Sequence, residues 1–241
     1  MTKTGFFALW LMCCVPLSAQ KAEPIPLEKE PHHELVYKDD RFLAFRVKMA
    51  PGETLLLHRH AYDEAALTVS SGTTAAIFPG QPETHQKDVP ATVRFHRAGV
   101  VHEIRNVSDT PYYLHYSISL LKPQGAVHSL CAAADEGGPL NCPAVAETNP
   151  PAAFRVEPQY ETEQMRASIV RIRAAQEAYF VGETGRDQFI VAIDDVTSKS
   201  GGAEKPLHPG DFLWVAHGSA PQQVRNSSDH EARLAVFSFK P

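Results

Sequence analysis

Residues 52–64 read GETLLLHRHAYDE, and this stretch carries two histidines two positions apart, His58 and His60. Consecutive side chains of a β-strand point to opposite faces, so side chains at i and i+2 share one face. In a strand, His58 and His60 therefore project together into one space. Glu64 keeps the same parity after a short interval, whereas the parity of Asp63 points it to the other face. The stretch predicts two imidazoles and one carboxylate on the inner side of a sheet.

A third histidine, His102, stands in residues 99–106, which read GVVHEIRN, at the start of another alternating segment. Three imidazoles and a carboxylate suit one divalent transition metal, Fe, Mn, Ni, Cu or Zn, with positions left for water or substrate. A His-x-His pair alone also occurs as an exposed strand pair, but the third histidine favours a metal site. His115 lies in a further strand-like run, where we expect a core or surface histidine rather than a group lining the site.

The two segments together resemble the two sequence motifs of the cupin superfamily. Residues 52–64 match the first motif, G-x5-H-x-H-x3-E, and residues 99–106 match the second, G-x2-H-x3-N. The resemblance implies a small antiparallel jelly-roll barrel with one divalent transition metal inside it. Three departures fall in turns: Gly72 comes one position late, Arg97 replaces a proline and Ala91 replaces a glycine. By transfer from the family, the metal ligands are His58, His60, Glu64 and His102, with Glu64 also the candidate catalytic base.

The chain contains one internal repeat. Residues 104–109, IRNVSD, recur as residues 224–229, VRNSSD, and an alternating strand-like run follows each copy. Short alternating segments separated by turn signals continue through both halves, with no sustained helical period. We therefore predict an all-β fold of two tandem antiparallel jelly-roll (cupin) barrels. The predicted barrels span residues 34–122 and 159–241, with a proline-rich linker at residues 123–158.

The second half keeps the barrel pattern but lacks the ligands. At an offset of 120 residues, Gln222 stands where the first half has His102. Residues 180–186, which correspond to the His-x-His pair, contain no histidine. The resemblance is therefore to a bicupin with one intact metal site, and quercetin dioxygenases are among the nearest proteins in pattern.

The N-terminal residues predict export. Residues 5–17 form an apolar run without charge and residues 18–20 offer small side chains for cleavage, so residues 1–19 are interpreted as a signal peptide. A short membrane anchor is the alternative. Cleavage leaves Cys131 and Cys142, an even pair that favours a disulfide over two metal ligands. We expect an exported protein, periplasmic or secreted, with no membrane association after cleavage.

Charge and site chemistry narrow the partners. The 241 residues carry a formal net charge of −5, which gives no basic footprint for nucleic acid, and none is expected as a partner. The site favours a metal-dependent dioxygenase acting on a small organic substrate. The alternatives are a non-catalytic periplasmic module that binds a ligand or metal, a cupin isomerase or decarboxylase, and a structural protein whose barrels form an oligomer surface. The family resemblance also implies a homodimer.

Overall fold

The computed structural model describes residues 23–109, 111–134, 138–144, 152–180 and 186–240. Within these residues the regular structure is β throughout, apart from one 3₁₀ turn at Leu27–Lys29. The predicted signal peptide, residues 1–19, lies outside the described residues. In the part of the chain that the structure describes, no helix is long and apolar enough to cross a membrane.

The first half of the chain forms two facing five-stranded sheets. One sheet has the strand order β1-β4-β9-β6-β7 and the other β2-β3-β10-β5-β8. All pairings are antiparallel except that of β1 with β4, which is parallel. We call these strands the first barrel. Their bounds are β1 Ile25–Pro26, β2 His33–Lys38, β3 Phe42–Met49, β4 His58–Arg59, β5 Asp63–Thr68, β6 Gly72–Ile77, β7 Thr84–Asp88, β8 Thr92–His96, β9 Val101–Asn106 and β10 Tyr113–Leu120.

The second half repeats this arrangement, and we call it the second barrel. Its sheets have the orders β11-β12-β13-β20-β15-β18 and β14-β19-β16-β17, in which the last five strands of the first sheet and all four of the second follow the order of the first barrel. The predicted all-β fold of two tandem jelly-roll barrels is confirmed. The bounds are β11 Val127–Ser129, β12 Phe154–Thr162, β13 Met165–Ile172, β14 Glu177–Phe180, β15 Asp187–Ala192, β16 Val196–Ser200, β17 Ala203–Leu207, β18 Phe212–Val215, β19 Gln222–Arg225 and β20 Ala232–Phe239.

The range predicted as a linker, residues 123–158, contains strand β11 and the first five residues of β12. Pro158, one of the prolines of the predicted linker, lies in β12 at a register shift between Pro158 and Tyr160. Proline is tolerated in a sheet at such irregularities. The described parts of the loop between the two strands hold the disulfide between Cys131 and Cys142. We propose that the second barrel begins with these strands.

The repeated Asn-x-Ser sequence has the same structural role in both barrels. The Nδ2 atom of Asn106 donates to the Met49 carbonyl oxygen at 3.1 Å, and the Nδ2 atom of Asn226 donates to that of Ile172 at 3.0 Å. Both asparagines are fully buried, and each also accepts a hydrogen bond from the backbone two residues further on. In each asparagine the buried side-chain amide therefore has hydrogen-bond partners, and its bonds to the backbone stabilise a turn.

The two barrels pack together through one shared apolar core. Phe42 of the first barrel stacks on Phe239 of the second, with ring centroids 4.1 Å apart. The hydroxyl of buried Tyr116 donates to the Gly210 carbonyl oxygen at 2.6 Å. The facing sheets of the two barrels therefore support one another, and the interior of the first barrel stays free to form a cavity.

Candidate metal centre

The three predicted histidines meet inside the first barrel. His58 on β4 pairs directly across the sheet with His102 on β9, and His60 follows two residues after His58. The Nε2 atom of His60 lies 3.2 Å from that of His58 and 3.0 Å from that of His102. Strand parity and cross-strand register together thus bring the three imidazoles into one group. We call these three residues the histidine cluster.

The hydrogen bonds behind the rings determine which nitrogen faces the centre. The Nδ1 atom of His58 lies 2.8 Å from the Leu56 carbonyl oxygen, which only accepts, so Nδ1 carries the proton. The Nδ1 atom of His60 contacts the carboxylate of Glu64, which also only accepts, so this Nδ1 likewise carries the proton. Both rings therefore direct Nε2 towards His102. In their neutral forms the Nε2 atoms of His58 and His60 carry facing lone pairs, which cannot bond one another and fit a shared cation.

Burial keeps two members of the cluster neutral. It lowers the pKa of His58 to about 4, and burial together with the neighbouring imidazoles lowers the pKa of His102 to about 2. Burial also lowers the pKa of His60, but the charge of Glu64 and the hydrogen bond to it together outweigh burial, so that the pKa of His60 is raised. The raised pKa favours a proton on the Nε2 atom of His60, and a bound metal would take the place of that proton.

Glu64 lies behind His60 in this structure. Burial raises the pKa of Glu64, but the charge of His60 and the hydrogen bond between them hold it well below its usual range. Of the described residues, His58, His60 and His102 are the ones whose ligand atoms converge, and Glu64 is not in this group. The predicted roles of Glu64 as a ligand and as a base stay predictions, and its observed contact is with the outer nitrogen of one ligand.

The cluster lies in the wall of a cavity of about 380 Å³ that is lined by residues of both sheets of the first barrel. His115 lines this cavity, contrary to our expectation of a core or surface position, because β10 turns its inward face to the same space. Sequence reasoning missed His33, whose ring lies 5.1 Å from that of His58 and whose Nδ1 atom lies 2.8 Å from Glu30. It also missed Arg94 and His96, although their alternation on β8 is visible in the sequence.

The second barrel has other side chains at the equivalent positions. Phe180 pairs with Gln222 in the register that joins His58 to His102 in the first barrel. Phe180 is buried and apolar, and the Nε2 atom of Gln222 donates to Ser198 at 2.7 Å. The predicted equivalence of Gln222 and His102 thus agrees with the strand register. Residues 181–185 lie outside the described part of the chain.

Two consecutive jelly-roll barrels with a histidine cluster in one of them define a bicupin architecture, and this chain has the cupin fold in two copies. Its structure is similar to that of AerE from Microcystis aeruginosa, with a TM-score of 0.59 and 11% identity, over 90% of this chain and 98% of AerE. It is also similar to a salicylate 1,2-dioxygenase from Pseudaminobacter salicylatoxidans. That similarity has a TM-score of 0.52 and 15% identity, over 82% of this chain and 70% of the dioxygenase.

Sequence comparison adds no closer relative. No protein-family model matches the sequence, and no curated protein matches it. At these low identities the structural similarity shows the fold alone. The finer likeness to quercetin dioxygenases stays a prediction.

Proposed function

We propose that this protein is an exported metal-dependent oxidoreductase of the dioxygenase type, acting on a small organic substrate in the first barrel. The convergence of three imidazole Nε2 atoms on the wall of the cavity of the first barrel carries this proposal. The site combines a set of nitrogen ligands with enough space beside them for a small molecule. The structural similarity to a salicylate 1,2-dioxygenase supports the choice of reaction class.

His58, His60 and His102 would hold the metal, and Glu64 would keep the ring of His60 in its orientation. A redox-capable divalent metal with open positions supplies Lewis acidity and electron transfer between an organic substrate and O₂. The chain itself provides apolar walls, among them Met49, Phe78 and Ile104, which limit the access of water. Because the carboxylate of Glu64 contacts the Nδ1 atom of His60, we assign it the orienting role rather than that of a base.

Two features support export. The apolar run before residue 19 has the pattern of a signal peptide. The disulfide between Cys131 and Cys142 is typical of oxidising compartments. The proposed location is therefore outside the cytoplasm, periplasmic or secreted, and the homodimer stays a prediction.

Oxygen uptake by the metal-loaded protein tests the proposed reaction. Catechols, flavonols, β-diketones and hydroxybenzoates are offered in turn to protein loaded with Fe²⁺, Mn²⁺, Ni²⁺ or Cu²⁺. We expect O₂ consumption in step with loss of one substrate, and none from a His58→Ala, His60→Ala double variant. Gln222→Ala, at the equivalent position of the second barrel, is the matched control and should retain full activity.

Two results would contradict the dioxygenase assignment. Substrate conversion without O₂ uptake would indicate an isomerase or decarboxylase. Tight metal retention with no conversion of any substrate would indicate a binding module without catalysis.

A further inference from the structure

The cavity of the first barrel contains a cation at some distance from the histidine cluster. Arg94 on β8 pairs with Ala66 of β5 and lines the cavity. Its Nη1 atom donates to the side-chain oxygen of Gln86 on β7, which belongs to the opposite sheet. The arginine side chain therefore links the two sheets at the edge of the barrel that β7 and β8 form, where both residues line the cavity.

Among the described residues, no carboxylate oxygen lies within 4.0 Å of the guanidinium of Arg94. The ion pairs that these residues form all involve other cations. The partner of Arg94 is a neutral amide oxygen. A partly buried cation is normally paired with an anion, because desolvation of an unpaired charge is costly. This arginine therefore keeps N–H donors and a positive charge without a contacting anion within the cavity.

The buried carboxylate of Asp88 orients Gln86, the residue that accepts the hydrogen bond from Arg94. The Nε2 atom of Gln86 donates to Asp88 at 2.9 Å, and the hydroxyl of Thr74 donates to the other oxygen of Asp88 at 2.8 Å. Asp88 is 2% exposed. These bonds orient the amide of Gln86 so that its oxygen faces Arg94. The guanidinium is thus fixed in position although its charge is not neutralised by contact.

Strand register places the two ends of the cavity apart. Gln86 pairs with Thr74, which pairs with Asn106, so Gln86 lies level with Asn106 on the neighbouring strands. His102 lies four residues before Asn106 on the same strand, which corresponds to about 13 Å at the rise of a β-strand. Between these levels, β9 and the neighbouring β6 contribute the apolar residues Ile104 and Ala76 to the wall. Along these two strands an apolar stretch therefore separates the imidazole end of the cavity from the guanidinium end.

We propose that Arg94 binds a carboxylate of the substrate, so that the substrate is a small organic acid whose hydroxyl or keto oxygen faces the histidine cluster. The placement of a hydroxyl or keto oxygen at the histidine cluster rests on the proposed function, whereas the carboxylate subsite at Arg94 does not. Arginine presents paired N–H donors that match the two oxygens of a carboxylate. A neutral molecule of the same shape would leave the guanidinium of Arg94 without a contacting anion.

Calorimetric binding of acids and their amides tests this proposal. The probes are 3- and 4-hydroxybenzoate and pyruvate, each compared with its primary amide, on metal-loaded protein. We expect the wild-type chain to bind at least one acid about 10- to 100-fold more tightly than its amide, as for a hydrogen bond to a charged group. Arg94→Gln should abolish this preference and leave the affinity for the amide unchanged, while Arg94→Lys should retain part of it.

Arg105→Gln is the matched control, because Arg105 pairs with Glu83 on the outside of the barrel at 2.7 Å and does not line the cavity. It should keep the wild-type preference. The same thermal unfolding midpoint in all variants shows that each is folded. A preference for the acid that persists in Arg94→Gln, or its absence from the wild type for every probe pair, would overturn the proposal.

The same experiment separates this proposal from the proposed function. Arg94→Gln should contain as much metal as the wild type. A His58→Ala, His60→Ala double variant should lose the metal yet still bind the acid more tightly than the amide. If the wild type binds no metal but still prefers acids, the metal site is refuted and the carboxylate subsite at Arg94 is supported. If the wild type binds metal but shows no preference for acids, the metal site is supported and the subsite at Arg94 is refuted.

Discussion

His102→Ala is expected to lower the affinity of the protein for a divalent transition metal by more than about 100-fold. Loss of a residue that only orients a ligand typically costs 10- to 100-fold, and His102 is itself a proposed ligand. Its Nε2 atom lies 3.0 Å from that of His60, and it faces His58 across the sheet. The alanine variant leaves two imidazoles on one side of the site. Competition with a chromophoric chelator, with Zn²⁺ and Ni²⁺ in separate titrations, measures the affinity.

Gln222→Ala is the control for this titration, because Gln222 occupies the equivalent register in the second barrel. Its affinity and stoichiometry should equal those of the wild type. Wild-type affinity in His102→Ala would show that the cluster is not the site. A halved stoichiometry in Gln222→Ala would show a second metal site in the second barrel.

Glu64→Gln is expected to lower the metal affinity by about 10- to 100-fold while one metal still binds at saturation. The carboxylate of Glu64 contacts the Nδ1 atom of His60 and is buried with it. The negative charge of Glu64 holds this ring in orientation and makes its Nε2 atom a stronger ligand. A neutral amide in its place removes this charge. The chelator competition gives the affinity, and X-ray absorption of the loaded protein gives the number of nitrogen and oxygen ligands.

The ligand count distinguishes the two roles of Glu64. An unchanged count in Glu64→Gln supports the orienting role, whereas a change in the oxygen contribution would make Glu64 a ligand, as the motif predicts. Glu103→Gln is the matched control, because Glu103 is next to His102 and does not line the cavity. Its affinity should stay at the wild-type value.

Strand parity predicted the position of the cluster because the relevant residues lie on short alternating segments. His58 and His60 share a face, and the pairing of β4 with β9 adds His102 to it. Parity also separated Asp63 from Glu64. The carboxylate of Asp63 accepts hydrogen bonds from the backbone nitrogens of Ala98 at 2.8 Å and Gln124 at 2.9 Å, which is a structural role away from the cluster.

The sequence did not predict the guanidinium end of the cavity. Arg94 is a single charged residue on an alternating strand, and such residues usually face solvent. Its inward position follows from the pairing of β8 with β5, which is a long-range contact that no local pattern encodes. The same reason applies to His33, which reaches the cluster because β2 pairs with β3 at the edge of the sheet. A motif names the residues of a site, but tertiary register decides which other residues line it.

Elemental analysis of the purified mature protein, without added metal, tests the central claim most directly. We predict about one equivalent of Fe, Mn, Ni or Cu per chain in the wild type and in Gln222→Ala, and less than about a tenth of this in His58→Ala. Three imidazole ligands bind such metals while leaving positions open, and His58→Ala removes one of the three. Absence of metal from all three proteins, or an undiminished content in His58→Ala, would contradict the assignment of the histidine cluster as a metal centre.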